Sequence, residues 1–424
     1  MKLHWQILIA IGLGILVGAF LTPTDGVGAF RFYDAFDFLG TLFLNALKMI
    51  IVPLIFSSII CGVASLGQDD NIGRLGGKTL GFYMLSSVLA ILVGLILVNL
   101  TQPGIVDGQP AGERLNLSSQ AELAATLDKV DGKGGSDIAE VFLRMVPTNV
   151  VEAAANGQML GLIFFSMLFG FFMCRISPKL AETQRSFWQG VFDTMMLITM
   201  FVMRFAPIGV FALVAKTVTA TGFAAFGPLA VFFLTTLAAL AIHVGVTMAL
   251  LLKKLGGISP MAHYRAMFPA MLTAFSTASS SATLPLTLEC VEKNAGVSNK
   301  TTSFVLPLGA TINMDGTALY ECVAAMFIAQ AYGLDLSFAQ QFLVVLVALL
   351  TSIGVAGIPA ASLVAISIIL TAIGLPLEGL GLLLVTDRVL DMLRTAVNVF
   401  SDSCCAVIIA RSEGEELTYQ NEAV

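Results

Sequence analysis

Long apolar runs recur from one end of the chain to the other. Eight are long enough to cross a bilayer as helices, which takes about 20 residues; they fall near 3–22, 36–67, 79–101, 142–174, 190–215, 226–252, 299–333 and 380–411. Two further stretches, 259–293 and 338–374, are apolar but interrupted midway by Ser, Gly and Pro. Each of these is predicted to form two short helices that meet at a tip. The pattern therefore predicts an all-α polytopic membrane protein with eight transmembrane helices and two re-entrant helical hairpins.

The composition supports this interpretation. Of 424 residues, 57% are hydrophobic and 12% are charged, whereas a soluble domain carries about 25% charged residues. This excludes an ordinary soluble enzyme, a disordered chain and a secreted disulfide-rich domain. A net charge of -6 without a basic stripe argues against nucleic-acid binding. The six cysteines show no C-x-x-C spacing, so we predict no structural metal, no disulfide framework and no cofactor.

The distribution of Lys and Arg predicts the orientation in the membrane. If both termini are cytoplasmic, the predicted inside loops and ends hold twelve of these residues and the outside ones five, as the positive-inside rule requires. This topology needs the two broken stretches to enter from opposite faces, as inverted repeats do. The first apolar run is longer than a typical signal-peptide core and is interpreted as a spanning helix. We expect a multi-pass protein of the cell (plasma or inner) membrane.

The last apolar run carries a polar stripe. The stripe consists of Asp387, Asp391, Arg394, Asn398 and Asp402, with Thr395 beside them. Its five members are spaced by four, three, four and four residues, so they share one helical face. A charge at the bilayer centre costs about 2.5–3.5 kcal/mol, so the stripe is expected to line a polar site. An internal salt-bridge stripe, such as Asp391 with Arg394, is the structural alternative.

Three more features interrupt apolar surroundings. Gly309–Thr317 contains Asn and Gly, which are unfavourable in helix interiors, and is predicted to be an unwound turn. Its carbonyls and Asp315 would offer oxygen ligands for an alkali cation. A flexed helix is the alternative. The small residues of the two hairpin tips, 278–285 and 352–362, would let backbone N–H groups approach a carboxylate, or form flexible loops. Glu321 is either a proton carrier, because burial favours its neutral form, or paired with a neighbour.

These features together resemble the dicarboxylate/amino acid:cation (sodium/proton) symporter family, which includes archaeal aspartate transporters and mammalian excitatory amino acid (glutamate) transporters. The likeness is strongest from 259 to 411, where Ser279-Ser280-Ser281, Asn313-Met314-Asp315-Gly316-Thr317 and Asp391…Arg394-Thr395…Asn398…Asp402 follow the order of the family's motifs. The resemblance implies a homotrimer in the lipid bilayer in which a transport core moves against a fixed scaffold like an elevator. It divides the chain into scaffold helices (1–78 and 141–218), transport-core helices (79–101 and 219–258), the core with both hairpins (259–411), an extracellular surface loop (102–140), expected to be flexible, and a cytoplasmic tail (412–424).

The resemblance also implies a substrate site. Asp391 is similar to the group that binds the substrate's α-amino group, and Arg394 to the partner of its side-chain carboxylate. The α-carboxylate would lie near Asn398, Thr317 and both tips. The full predicted set comprises Ser279, Ser280, Ser281, Thr317, Ala356, Gly357, Ile358, Pro359, Asp391, Arg394, Thr395 and Asn398.

Three sodium sites are implied in the same way. The first resembles Asp402, Asn398, Asn313 and the Gly309 carbonyl; the second, Asp315, Asn313, Tyr83, Ser86 and Ser87; the third, the carbonyls of Thr311, Met314, Ser352 and Ile353. Glu321 matches a position that the resemblance ties to proton and potassium coupling.

The expected function is therefore sodium-coupled symport of L-glutamate or L-aspartate, with protons and potassium as further candidate ions, and not enzymatic catalysis. A C4-dicarboxylate carrier would keep Arg394 but has no need of Asp391 as an amine partner, and a neutral amino-acid carrier would lack Arg394. Other classes left open are an intramembrane aspartyl protease using Asp315 and Asp391, and an ion channel. The chain departs from the family at Ala278, Met392 and Ser362, and has Arg388 one turn before Asp391.

Overall fold

The computed structural model describes residues 3–28, 30–66, 73–112, 115, 143, 146–155, 159–221, 226–354, 361–373, 375 and 380–418. The helices are α1 Leu3–Phe20, α2 Phe32–Leu66, α3 Gly73–Thr101, α4 Val150–Ala155, α5 Met159–Met173, α6 Pro178–Met203, α7 Ala206–Thr221, α8 Phe226–Ile242, α9 Pro260–Thr277, α10 Ser280–Glu289, α11 Asn299–Ile312, α12 Asp315–Ala331, α13 Phe338–Gly354, α14 Ala361–Ile373 and α15 Leu380–Ser412. The predicted helical class is confirmed. Within the described ranges, β structure is confined to two antiparallel pairs of two-residue strands, β1 Gly26–Val27 with β2 Phe30–Arg31 and β3 Ile105–Val106 with β4 Gln109–Pro110.

Several described helices have the length and apolar character of membrane spans. They are Arg74–Thr101, Phe226–Gly256 and Thr386–Ser412, together with a pair bent by 54°, Pro178–Val202 and Ala206–Ala220. The run predicted at 190–215 is thus two helices, and Pro207 stands in the first turn of the second, where a missing N–H is tolerated. The count of eight spans stays a prediction.

The first predicted hairpin is confirmed as two helices, α9 and α10. The chain reverses at Ala278, which adopts a left-handed conformation with φ of 49°. Ser279 then caps α10, because its hydroxyl oxygen accepts a hydrogen bond from the N–H of Ala282 at 3.2 Å. The arms of the second hairpin are α13 and α14, and its tip at 355–360, with the predicted residues Ala356, Gly357, Ile358 and Pro359, lies outside the described residues.

The run at 299–333 is broken into α11 and α12, as predicted. The break is narrower than predicted: only Asn313 and Met314 leave the helical conformation, while Gly309 still belongs to α11 and Gly316 to α12. Nearly all of α12 is buried, so the break lies at the centre of the molecule.

The run near 226–252 reaches Gly256. After α8 the chain forms π-helical turns at His243–Met248 and Leu252–Gly256, and the left-handed Gly257 ends the segment. π-Turns inside α-helices are frequent at functional sites.

The described beginning of the 102–140 segment packs against the core. Ala111 and Leu115 are buried, and the Gly104 N–H donates to the side chain of Gln330. A side chain at Gly104 would meet the α12 backbone at 2.6 Å. In this part the short β3–β4 turn covers the end of α12 while residues 107–110 remain exposed, and the surface loop over 102–140 stays a prediction.

The helices pack in two groups. In one, α1 lies against α7, and α2 lies against α5, α6 and α7. In the other, α3, α8, the first hairpin and α13 surround α12 and α15. The helix break and the polar stripe of α15 therefore face each other inside the second group.

Candidate functional site

The break between α11 and α12 meets the middle of α15 through the side chain of Asn313. Its amide Nδ2 donates to Asp402 Oδ1 at 2.9 Å and to Ser401 Oγ at 3.0 Å. All three side chains are buried. The two residues that leave the helix thus place an amide and free backbone beside a carboxylate.

Four side chains lie within hydrogen-bond distance of the carboxylate of Asp315, at the start of α12. Ser87 of α3 donates to Oδ1 at 2.7 Å, and Ser401 donates to Oδ2 at 2.6 Å. The Ser86 hydroxyl lies 3.2 Å from Oδ1 and 3.2 Å from the carbonyl of Tyr83, and can donate to either. His243 Nε2 lies 3.2 Å from Oδ2. We call Ser86, Ser87, His243, Asn313, Asp315, Ser401 and Asp402 the Asp315 cluster. It is buried and rich in oxygen atoms, the ligand type that hard cations prefer.

Gly309 leaves room beside this cluster. A Cβ atom there would lie 2.4 Å from Asp402 Oδ1 and 2.5 Å from the hydroxyl oxygen of Tyr83. The Tyr83 hydroxyl donates to the carbonyl of Val305 at 2.8 Å, and the Gly309 carbonyl accepts the N–H of Asn313 at 2.9 Å. Tyr83, Gly309 and Asp402 therefore converge on one small space.

The second predicted sodium set is thus brought together with Asp402, Asn313 and Gly309 of the first. In the third predicted sodium set, Met314 lies in the helix break, and its carbonyl accepts a hydrogen bond from the N–H of Ala318 at 2.8 Å. Thr311 lies in the last turn of α11, and Ser352 and Ile353 in the last turn of α13. These two helices pack against each other.

About two helical turns before Asp402 on α15, Arg394 forms the second polar group. Its Nη2 donates to Asp387 Oδ1 and to Asp391 Oδ1, each at 3.0 Å, and its Cζ lies 3.9 Å from the centre of the Tyr320 ring. The side chain is only 1% exposed, yet Nε and Nη1 have no partner among the described residues. Arg388 Nη1 reaches Asp391 Oδ2 at 3.3 Å. The salt bridge anticipated as an alternative therefore exists, but it leaves two nitrogens of a buried guanidinium without an acceptor among the described residues.

Asn398 connects the two groups. Its Oδ1 accepts the N–H of Gly316 at 2.8 Å, and its Nδ2 donates to Thr317 Oγ1 at 3.2 Å. A Cβ at Gly316 would lie 2.9 Å from the Arg394 carbonyl. The start of α12 is thereby held directly against α15, between the Asp315 cluster and Arg394.

Other predicted residues are placed less directly. The Ser279 hydroxyl caps α10, Ser280 is buried and Ser281 is exposed. Thr395 donates to the carbonyl of Asp391 at 2.7 Å, within its own helix. Within the described ranges, no hydrogen bond joins these four hydroxyls to Arg394.

Glu321 is fully buried in α12. Its Oε2 accepts a hydrogen bond from Thr351 Oγ1 of α13 at 2.9 Å, and its Oε1 has no partner in the described part of the chain. The neighbour anticipated for Glu321 is thus a neutral hydroxyl of the second hairpin.

Sequence reasoning missed three contributors. Ser401 falls three residues after Asn398, so the helical period could have found it. No pattern in the sequence around Tyr320 indicates that its ring packs against the Arg394 guanidinium. His243 is a single histidine in an apolar run, where a core role is the ordinary expectation.

The comparisons with known proteins decide the family. The sequence profile of the sodium:dicarboxylate symporter family matches residues 3–412. The chain belongs to this family. Because the family is one of transporters, the protein is a symporter-type membrane protein and the protease alternative is set aside.

Individual relatives cover almost the whole chain. A proton/sodium-glutamate symport protein of Bacillus caldotenax is 37% identical over 413 residues, 97% of this chain and 95% of the relative. A proton/glutamate-aspartate symporter of Escherichia coli (strain K12) is 36% identical over 430 residues, which cover 100% of this chain and 97% of the relative. A C4-dicarboxylate transport protein of Bacillus subtilis (strain 168) is 32% identical over 411 residues, which cover 97% of this chain and 93% of the relative.

Proposed function

We propose that this protein is a sodium-coupled symporter of acidic amino acids, L-glutamate or L-aspartate. The observation that carries the proposal is the buried Arg394, whose Nε and Nη1 have no partner among the described residues although two aspartates flank it. A buried donor without an acceptor costs about 1–3 kcal/mol. A substrate carboxylate that accepts hydrogen bonds from these nitrogens would reduce that cost, and bonds between charged partners are the stronger ones.

The position of Asp391 would also suit an amino group on the substrate. Among the described residues, the Asp391 carboxylate pairs with Arg394 and Arg388 alone. A substrate ammonium would give it a further cationic partner. The α-carboxylate would lie toward Asn398 and Thr317 and the two hairpin tips. A substrate with two carboxylates and one amine then matches the charges of the site.

Sodium is proposed to bind at Asp315 and Asp402, with Asn313, Tyr83, Ser86 and Ser87 nearby. Asn398 links this region to the Arg394 region through the N–H of Gly316. An ion that fixes the helix break would therefore also fix Asn398, so each ligand lowers the cost of binding the other. Coupling between two such sites is typically worth about 1–3 kcal/mol.

Movement across the membrane would use the two packing groups of helices. We propose that α1, α2 and α4 to α7 form a scaffold, and that α3, α8 and both hairpins with α11, α12 and α15 carry the substrate as an elevator. A homotrimer, eight spans, cytoplasmic termini and a cell-membrane location complete this proposal. It is supported by the packing of α1 and α2 against α5–α7, a group that meets α15 mainly through α7, and by family membership.

Glu321 is proposed to carry a coupled proton and to exchange it for potassium. Its only hydrogen-bond partner in the described part of the chain is the hydroxyl of Thr351 on the second hairpin. A change in that hairpin would therefore alter the surroundings of the carboxyl group. The proton named in two of the relatives favours such coupling.

A C4-dicarboxylate carrier is the second candidate, because one relative bears that name. Arg394 would serve either substrate. Asp391 favours the amino acid, since a dicarboxylate without an amine would bring a second negative charge close to this carboxylate.

Uptake into proteoliposomes tests the proposal. Radiolabelled L-glutamate, L-aspartate, succinate and L-serine are compared under an inward sodium gradient, with internal potassium or choline. We expect sodium-dependent uptake of the acidic amino acids that is lost in Arg394→Ala. Lys216→Ala, which removes a cation paired with Asp37 at 2.6 Å outside both polar groups, serves as the control. Uptake of succinate or serine alone would overturn the substrate assignment.

A further inference from the structure

We propose that His243 is a positioning residue of the Asp315 cluster: it holds Asp315 Oδ2 so that Oδ1 is the oxygen offered to a cation. The inference rests on the proposed sodium binding at Asp315. His243 itself would not touch the ion. The argument comes from the hydrogen-bond donors that surround this carboxylate.

The four donors differ in what they can become when an ion arrives. An ionised carboxylate accepts about four hydrogen bonds, so the two serines of α3, Ser401 and His243 together occupy it. A hydroxyl can turn and offer a lone pair instead of its proton. Ser87, which donates to Oδ1, and Ser86, which lies 3.2 Å from it and can donate to the Tyr83 carbonyl instead, can therefore offer their oxygens to an ion.

The donors on Oδ2 lack this freedom. Ser401 Oγ already accepts a hydrogen bond from Asn313 Nδ2 at 3.0 Å, so its own proton is directed to Asp315. His243 faces the carboxylate with Nε2 at 3.2 Å, and a ring N–H can only donate. Oδ1 is consequently the side that can open to a cation, and Oδ2 is the side that stays held.

The surroundings of His243 support a fixed ring. The residue is fully buried at the start of the π-turn His243–Met248, and the hydroxyl of Tyr264 from the first hairpin donates to the carbonyl of the next residue, Val244. The contact with an acceptor places the ring proton on Nε2. Nδ1 has no partner among the described residues, so the bond to Asp315 is the polar contact that orients the ring.

Removing the donor should weaken sodium binding rather than abolish it. Loss of a hydrogen-bond partner behind a metal ligand typically lowers ion affinity about 10- to 100-fold. His243→Leu should therefore raise the sodium concentration needed for half-saturation about tenfold. His243→Gln, whose amide N–H has nearly the reach of Nε2, should restore most of the affinity.

The test measures the unfolding temperature of purified protein without substrate, in mixtures of sodium chloride and choline chloride at constant ionic strength. Its readout is the sodium concentration at half of the stabilisation. The matched control is His263→Leu, which removes a second buried histidine whose Nε2 lies 3.0 Å from Ser403 Oγ; it should lower the unfolding temperature without moving the sodium midpoint. If His243→Leu does not fold, His243→Asn, whose amide is one bond too short to reach Asp315, takes its place.

An unchanged sodium midpoint in the variant without the donor would overturn the inference, as would a failure of His243→Gln to recover. An equal shift in His263→Leu would also overturn it, because the effect would then be a general consequence of losing a buried histidine. Wild-type protein without any sodium stabilisation would instead contradict the proposed cation binding itself.

Discussion

Gly309→Ala perturbs the cation side of the site with a single methyl group. The added Cβ would lie 2.4 Å from Asp402 Oδ1 and 2.5 Å from the Tyr83 hydroxyl oxygen, whereas ordinary contact begins at 3.4 Å. Each oxygen would have to move by about 1 Å. The proposed sodium site uses these oxygens in their present positions. To bind sodium, the variant would have to bring them back into contact with the added methyl group.

The size of the effect follows from that overlap. Overpacking a filled interior by one methyl group costs about 1–3 kcal/mol. At 1.4 kcal/mol per factor of ten, sodium affinity should fall about 5- to 140-fold. The expected pattern is a raised sodium requirement for both stabilisation and uptake, with less change in maximal uptake once sodium is saturating.

The assay is sodium-dependent stabilisation of the purified variant, followed by uptake into proteoliposomes over a range of sodium concentrations. Gly81→Ala is the control, because it adds the same methyl group to α3, two residues from Tyr83, where a Cβ meets nothing within 4 Å. A folded Gly309→Ala protein with the sodium dependence of the wild type would refute the assignment of this space to a cation.

Three further predictions concern other parts of the chain. Arg394→Lys keeps the charge but loses the planar fork above Tyr320, so the affinity for acidic amino acids, measured as the Kd at saturating sodium, should fall about 10- to 100-fold. Glu321→Gln removes the titratable proton, so sodium-driven uptake should no longer respond to external pH or internal potassium. In the tail, burial opposes ionisation of Glu415, but hydrogen bonds from Thr301 and Ser298 outweigh it and lower its pKa below the usual 4.5. Its stabilisation is therefore present above pH 4.5 and lost as the pH falls through the lowered pKa, so Glu415→Ala should lower the unfolding temperature at neutral pH and less in acid.

Each of these predictions has a contrary result. Wild-type Kd in Arg394→Lys would mean that the guanidinium fork does not hold the substrate. Uptake by Glu321→Gln that still follows pH would place the proton elsewhere. A Glu415→Ala difference that grows in acid would contradict the sign derived from its lowered pKa.

The central features of the site were predictable where the sequence breaks a local rule. Asn313 and the glycines around it are poor in a helix interior, and the chain does leave the helix there. The polar stripe of α15 follows the helical period, so its common face could be deduced without coordinates. The first hairpin was predictable from the Ser run, where Ser279 caps the second arm.

Other features depend on packing between helices that are distant in the chain. Ser86 and Ser87 reach Asp315 across more than 200 residues, and no spacing within α3 specifies that contact; these serines came only from the family resemblance. The π-turn that begins at His243 changes the helical register without a proline to mark it. The narrow width of the helix break could not be deduced either, because packing keeps Gly309 and Gly316 helical against Asp402 and Arg394.

The most direct test of the account is the Kd of purified protein for L-glutamate and L-aspartate, measured by calorimetry at increasing sodium concentration with choline as the replacing ion. The two polar groups joined by Asn398 predict that affinity rises steeply with sodium and that Asn398→Ala weakens this dependence. A Kd that is independent of sodium would contradict the claim that one connected site couples the ion to the amino acid.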